Sequence, residues 1–264
     1  MALATSCLDP RLAALRGPAR YCLPADYREQ SANFTVDQNR PEGCAYWSPS
    51  RIADCARWQH YVYRWARQLI VRRGLGSVLD VGCGICTKLG RHIEPVCREV
   101  SGVDQRPALA TARRLGTNAM LMPLDLERPE ADPLRTYDLI VCADVLEHLL
   151  DPDPLVEWIH RACHRDTLVL LSTPERPRER GRACNGSPKR EHVREWSQEE
   201  FARFVQTRGF QALRHRLLPA DDRPLAGVRQ GERAFRHGLA DRSPLACQAV
   251  LCRSLSGQPP AGDA

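Results

Sequence analysis

With 264 residues, 43% of them apolar, the chain is long enough for one α/β domain with additions and a sizeable core. No apolar run approaches the roughly 18 residues of a membrane span. Residues 1–10 have no basic start and are broken by Asp9-Pro10, so no leader is expected and the default is a soluble, cytoplasmic protein. The formal charge of +6 is almost all arginine, Lys88 and Lys189 being the only lysines, and the arginines are scattered rather than gathered on an aromatic-studded face. That distribution disfavours nucleic acid as a partner.

Residues 1–50 are irregular, rich in Pro, Arg and Tyr, and keep neither period. Residues 51–73 read as a helix, because Trp58, Tyr61, Val62, Trp65, Leu69 and Ile70 recur at three- and four-residue steps. That face packs on a sheet, or its aromatic end roofs a pocket. Strands are then predicted near 77–81, 99–103, 118–122, 137–143 and 167–172, with helices at 88–97, 106–115 and 153–163 between them. This is the rhythm of right-handed βαβ crossovers, hence a parallel sheet covered on both faces. Ser197-Gln-Glu-Glu200 is a capping box opening a helix over 198–208, which Gly209 ends. Two late strands near 211–217 and 246–252 follow, and residues 253–264 are expected to be a disordered tail.

The first strand carries the most information. It runs into Val78-Leu-Asp-Val-Gly-Cys-Gly84, where Gly82 and Gly84 lack the Cβ that would keep backbone away from a nucleotide-like ligand. Asp104 stands twenty residues past Gly84, at the end of the second strand, where a carboxylate can bridge two ribose hydroxyls. Thr87 occupies the third glycine position of Gly-x-Gly-x-x-Gly, which weakens a dinucleotide reading. Asp80, Asp104, Asp125 and Asp144 lie at or near the carboxyl ends of four strands, and such an acidic rim repels phosphates. It suits a ligand bearing an ammonium and a sulfonium, S-adenosylmethionine.

These residues resemble the class I S-adenosylmethionine-dependent methyltransferases. Val78-Leu-Asp-Val-Gly-Cys-Gly84 is similar to that family's first motif; Gly102-Val-Asp104, Leu124-Asp-Leu126 and the stretch 137–149 resemble its later motifs. Asp-Val-Leu-Glu-His-Leu149 is similar to the branch holding quinone-biosynthesis O-methyltransferases. Ser172-Thr-Pro-Glu175, followed by His192-Val-Arg-Glu-Trp196, resembles bacterial methyltransferases found beside glycosyltransferases. The resemblance spans residues 55–252 and implies a Rossmann-like, seven-stranded, mostly parallel sheet with the last strand antiparallel. It implies a methyltransferase domain over 51–252, with cofactor contacts at Asp80, Gly82, Cys83, Gly84, Asp104, Gln105, Asp125, Leu126 and Cys142. One departure is Cys86, which replaces the third glycine of the family's loop.

Methyl transfer from a sulfonium needs alignment and, for a hydroxyl acceptor, a base. Glu147 and His148, just past the fourth strand, are the nearest candidates, with His192 as second choice; His148 is the expected general base. The alternative is that His148 only packs at the next helix. Cys83 and Cys86 form a C-x-x-C pair without a second cluster at metal spacing, so no metal is expected. Residues 174–196 carry Arg176, Arg178, Arg180, Arg182, Lys189, Arg190 and Arg194. This is either a solvated loop or a lid whose Arg190 and Arg194 grip an anionic acceptor. The function expected is O-methylation of a small or medium acceptor, sugar- or glycan-linked or otherwise anionic. RNA or protein methylation, a catalytically silent cofactor-binding protein and a dehydrogenase are the rivals.

Overall fold

The computed structural model describes residues 8–32, 47–219, 221–222 and 246–256. Seven strands form one sheet in the order β3-β2-β1-β4-β5-β7-β6. They are β1 (Ser77–Val81), β2 (Glu99–Asp104), β3 (Met120–Pro123), β4 (Tyr137–Ala143), β5 (Cys163–Pro174), β6 (Phe210–Pro219) and β7 (Ala246–Ser254). β1 through β5 pair in parallel, and β7 runs antiparallel to both β5 and β6. The Rossmann-like sheet and its antiparallel last strand are as expected.

Both faces are buried, so the pleat's period of two divides each strand between two cores. On one side Leu79, Val81, Ile140 and Cys142 meet Trp158, Trp196, Phe201 and Phe204. On the other, Val78, Leu139 and Val141 meet Tyr63, Trp65, Ile70 and Leu109. The helices behind these contacts are α1 (Pro49–Cys55), α2 (His60–Arg73), α3 (Arg106–Arg114), α4 (Asp153–Arg161), α5 (Arg176–Arg180) and α6 (Gln198–Thr207). The capping box at Ser197 and Glu200 is formed in both directions.

Two expectations need correction. The helix read over 51–73 is two helices, α1 and α2, broken where Gln59 adopts a left-handed φ of 54°. The helix read over 88–97 is a single π-helical turn, Leu89–Ile93. Within the segment read as irregular, residues 8–32 hold two 3-10 turns, and Tyr21, Leu23 and Tyr27 sit in the same core as Trp196. The tail expected over 253–264 lies outside the described residues beyond Ser256. Among the described residues no helix is long and apolar enough to cross a membrane.

Candidate active site

A cleft of about 650 Å³ opens at the carboxyl ends of β1, β2 and β4, the end where open α/β sheets bind ligands. The loop after β1 forms its floor. Gly82 has φ +75°, and a Cβ there would meet Val145 Cγ2 at 2.3 Å, so no other residue fits. Gly84 has φ +57°, and an added Cβ would touch Trp47 at 3.0 Å. Cys86 keeps the left-handed conformation, φ 62°, at the position of the missing third glycine. The turn is therefore retained, at the roughly 1–2 kcal/mol that such a φ costs a residue with a Cβ.

Asp104 is locked to this loop. Its carboxylate accepts the Gly84 N–H at 2.7 Å and the Gln105 N–H at 2.7 Å, one on each oxygen. Each oxygen can accept a second hydrogen bond. Burial raises the Asp104 pKa, and the Gly84 amide works against that rise. Beside it, Gln105 Oε1 is buried without a hydrogen-bond partner. These groups fit an adenosine: two paired hydroxyls for Asp104, a donor for Gln105 and close backbone at Gly82 and Gly84. Asp125 and Leu126 continue the same wall past β3.

Three other residues expected at the cofactor do not line the cleft. Asp80 lies within β1, not at its end, and shares the face of Val78 beneath α2. Its two carboxylate oxygens take the Tyr63 hydroxyl at 2.9 and 2.8 Å in a fully buried site. Burial pushes its pKa up to about 7, against the Tyr63 hydrogen bond. Cys83 is buried under Gly102, where an added Cβ would stand 2.8 Å from its sulfur, and Cys142 is wholly enclosed in β4. Asp144 takes part instead. With φ 53°, it accepts Ser172 Oγ at 2.9 Å and Gln59 Nε2 at 2.7 Å, and Gln59 in turn accepts Lys88 Nζ at 2.9 Å.

The acceptor end is built by Glu147, His148 and His192, which all line the cleft. His148 Nδ1 lies 2.6 Å from the Glu191 carbonyl, which only accepts, so this nitrogen carries the proton. His192 Nδ1 lies 2.6 Å from Glu195 Oε1. Burial alone would raise Glu195, but hydrogen bonds from His192 and Arg180 hold it down to about 2, so this carboxylate is ionised and His192 Nδ1 donates to it. His148 thus keeps its lone pair on Nε2, and the two rings stand edge to face at 4.8 Å. Burial lowers the His148 pKa to about 3, which makes it a poor proton acceptor near neutrality and weakens the expectation of a free general base. Glu147 is fully buried, neither of its oxygens has a hydrogen-bond partner, and burial raises its pKa well above the ordinary range.

The Arg-rich segment, read as a solvated loop or a lid, is a wall braced at several points. Glu175 bridges Trp196 at its base, Gly186 bridges Arg28, and the Val193 N–H reaches the Glu147 carbonyl at 2.7 Å. Arg194 is buried, donating to the carbonyls of Leu149 and Leu150 at 2.7 and 2.8 Å and to Glu29 at 2.5 Å, over the Tyr21 ring. It cannot grip an acceptor. Arg190 is exposed and does not line the cleft. The cations that do reach the wall are Arg51, Lys88 and Lys189, including both lysines of the chain.

Sequence reading missed Gln59, Lys88 and Glu195. A glutamine at a helix break has no local signature, whereas Glu195, three residues past His192, could have been read as a partner for that ring.

A family model described as a methyltransferase domain matches residues 36–215. The chain belongs to this methyltransferase-domain family, the class that its strand-end motifs resemble. It is also similar to the ubiquinone biosynthesis O-methyltransferase of Bradyrhizobium diazoefficiens, 28% identical over 132 residues. That match covers 48% of this chain and 49% of the relative, so the chain matches about half of the curated relative's length. Among solved structures, the Haloferax volcanii complex of the Trm112 methyltransferase activator aligns with a TM-score of 0.61 at 13% identity, over 81% of this chain and 97% of that one. An S-adenosylmethionine-dependent methyltransferase of Clostridium acetobutylicum aligns with a TM-score of 0.53 at 13% identity, over 80% and 97%. These two likenesses speak for the fold.

Proposed function

We propose that the protein transfers a methyl group from S-adenosylmethionine to an oxygen of a small or medium acceptor, and that the acceptor lies against Glu147, His148 and His192. The observation that carries this reading is the division of one cleft. At one end Asp104, Gln105 and the Gly82–Gly84 backbone offer an adenosine's partners; at the other, two imidazoles and a buried carboxylate face the cleft. When bound, the sulfonium donor supplies an already activated methyl group. The chain's part is to align the acceptor in line with it, to exclude water and to make the acceptor oxygen nucleophilic. The low His148 pKa keeps that ring neutral, and the Glu195 carboxylate fixes the orientation of the His192 ring.

An O-methyltransferase reading draws support from the relative in quinone biosynthesis. A sugar-linked or anionic acceptor rests on motif resemblance, and with Arg194 internal the anion's partners would be Arg51 and Lys189 at the cleft wall. The test is to incubate the protein with methyl-labelled S-adenosylmethionine and separate small-molecule, RNA and protein fractions of a cell extract. Label in the small-molecule fraction, stable to base as an ether is, is expected. Label confined to RNA or protein would overturn the small-acceptor reading.

A further inference from the structure

Glu147, His148 and His192 place one ligand atom each within 4.8 Å of one another, and they are the one such group among the described residues. Two imidazoles and a carboxylate are the donor set that binds divalent first-row transition ions while leaving coordination positions open. A metal ion held at about 2.0–2.2 Å from each needs its donors roughly 3–4 Å apart, which small side-chain rotations reach. We propose that these three residues bind a divalent transition-metal ion, and that this ion ligates the hydroxyl of the methyl acceptor.

Two further observations point to an ion rather than to a chance cluster. Each ring hands its Nδ1 proton to an oxygen, Glu191 carbonyl for His148 and Glu195 carboxylate for His192, both at 2.6 Å. That is the outer-shell pattern that orients a ligating imidazole and raises its basicity. Glu147 is the second. A fully buried carboxylate with no hydrogen bond to either oxygen is costly in itself. A divalent ion coordinated by Glu147 supplies the partner that both of its oxygens lack.

The chemistry then balances without an oxidant or reductant. The acceptor oxygen binds the ion as a Lewis acid, which lowers the hydroxyl's pKa, and its proton leaves to solvent water at the cleft mouth. A C–O bond forms to the methyl carbon as the C–S bond breaks, its electron pair going to sulfur. The products are a methyl ether, a neutral thioether and one proton. His148 is then a ligand, not a base.

This inference rests on the methyltransferase reading, and the experiment separates the two. The full chain is stripped with a chelator and dialysed. It is then titrated by calorimetry with Zn²⁺, Mn²⁺ or Co²⁺, and separately with S-adenosylhomocysteine; the Co²⁺ form is also scanned for visible d–d absorption. One equivalent of metal is expected. Glu147→Gln and His192→Ala should weaken it by at least about a hundredfold, and Glu195→Gln by roughly 10–100-fold. All three should bind S-adenosylhomocysteine within about threefold of wild type, which also certifies their fold. His164→Ala, on a histidine remote from the cleft, should change neither. Wild-type protein that binds S-adenosylhomocysteine but no metal, or variants with undiminished metal affinity, would overturn the metal site alone. Protein that binds metal but no S-adenosylhomocysteine would overturn the methyltransferase reading instead.

Discussion

Asp80 and Asp104 carry the same side chain near the ends of neighbouring strands, yet only Asp104 faces the cleft. The difference is one of register: Asp104 is the last residue of β2, whereas Asp80 is followed by Val81 and points toward α2. In the unfolded chain Asp80 releases its proton near 3.8, and in the fold near 7, so between those values the folded state binds more protons. Stability should therefore fall as pH rises across that window. Asp80→Asn should flatten the decline, as read by urea unfolding at pH 4, 5, 6 and 7; an unchanged slope would show that Asp80 is ionised in the fold. Sequence showed which residue types stand near the strand ends, but not which of them the pleat turns inward. The Gly82 requirement was legible, because a turn of this kind selects glycine. Gly82→Ala, facing Val145 at 2.3 Å with a left-handed φ, should cost roughly 1–3 kcal/mol in thermal or denaturant unfolding.

At the scale of elements, the strands and the parallel pairing of β1 to β5 were readable because alternation between apolar strands and helical stretches is strong here. The break between α1 and α2 was not, since residues 56–59 hold no proline or glycine to mark it. What breaks the helix is tertiary: Gln59 turns out of helical geometry and reaches Asp144 and Lys88. The segment between β5 and α6 was misread for a related reason. Arginines in sequence signal charge, but Arg176, Arg180 and Arg194 spend theirs on Glu200, Glu195 and Glu29 inside the protein. Arg194→Ala should accordingly lower stability by about 2–4 kcal/mol, because it strands two carbonyls and a carboxylate. The measurement is a melting temperature. A variant that melts like wild type but has a much raised acceptor KM would instead restore Arg194 to the acceptor site.

The whole molecule sorts its ligands along one cleft, with an acid and close backbone toward β1 and β2, and imidazoles and lysine beyond β4. Only the first half of that arrangement was visible in sequence with its partners attached, because Gly82, Gly84 and Asp104 are joined by local strand-end geometry. The second half joins residues more than forty positions apart, His148 and His192, through a wall that only the fold brings across. The account as a whole depends on the first half binding an adenosine-type methyl donor through Asp104. The most direct measurement is calorimetric titration with S-adenosylhomocysteine, run beside NAD, on wild type and on Asp104→Ala. One-site binding of S-adenosylhomocysteine, weakened roughly 10–100-fold by the substitution as expected for lost hydrogen bonds to a charged group, is the predicted result. Binding of NAD without S-adenosylhomocysteine, or an Asp104→Ala variant with wild-type affinity, would contradict it.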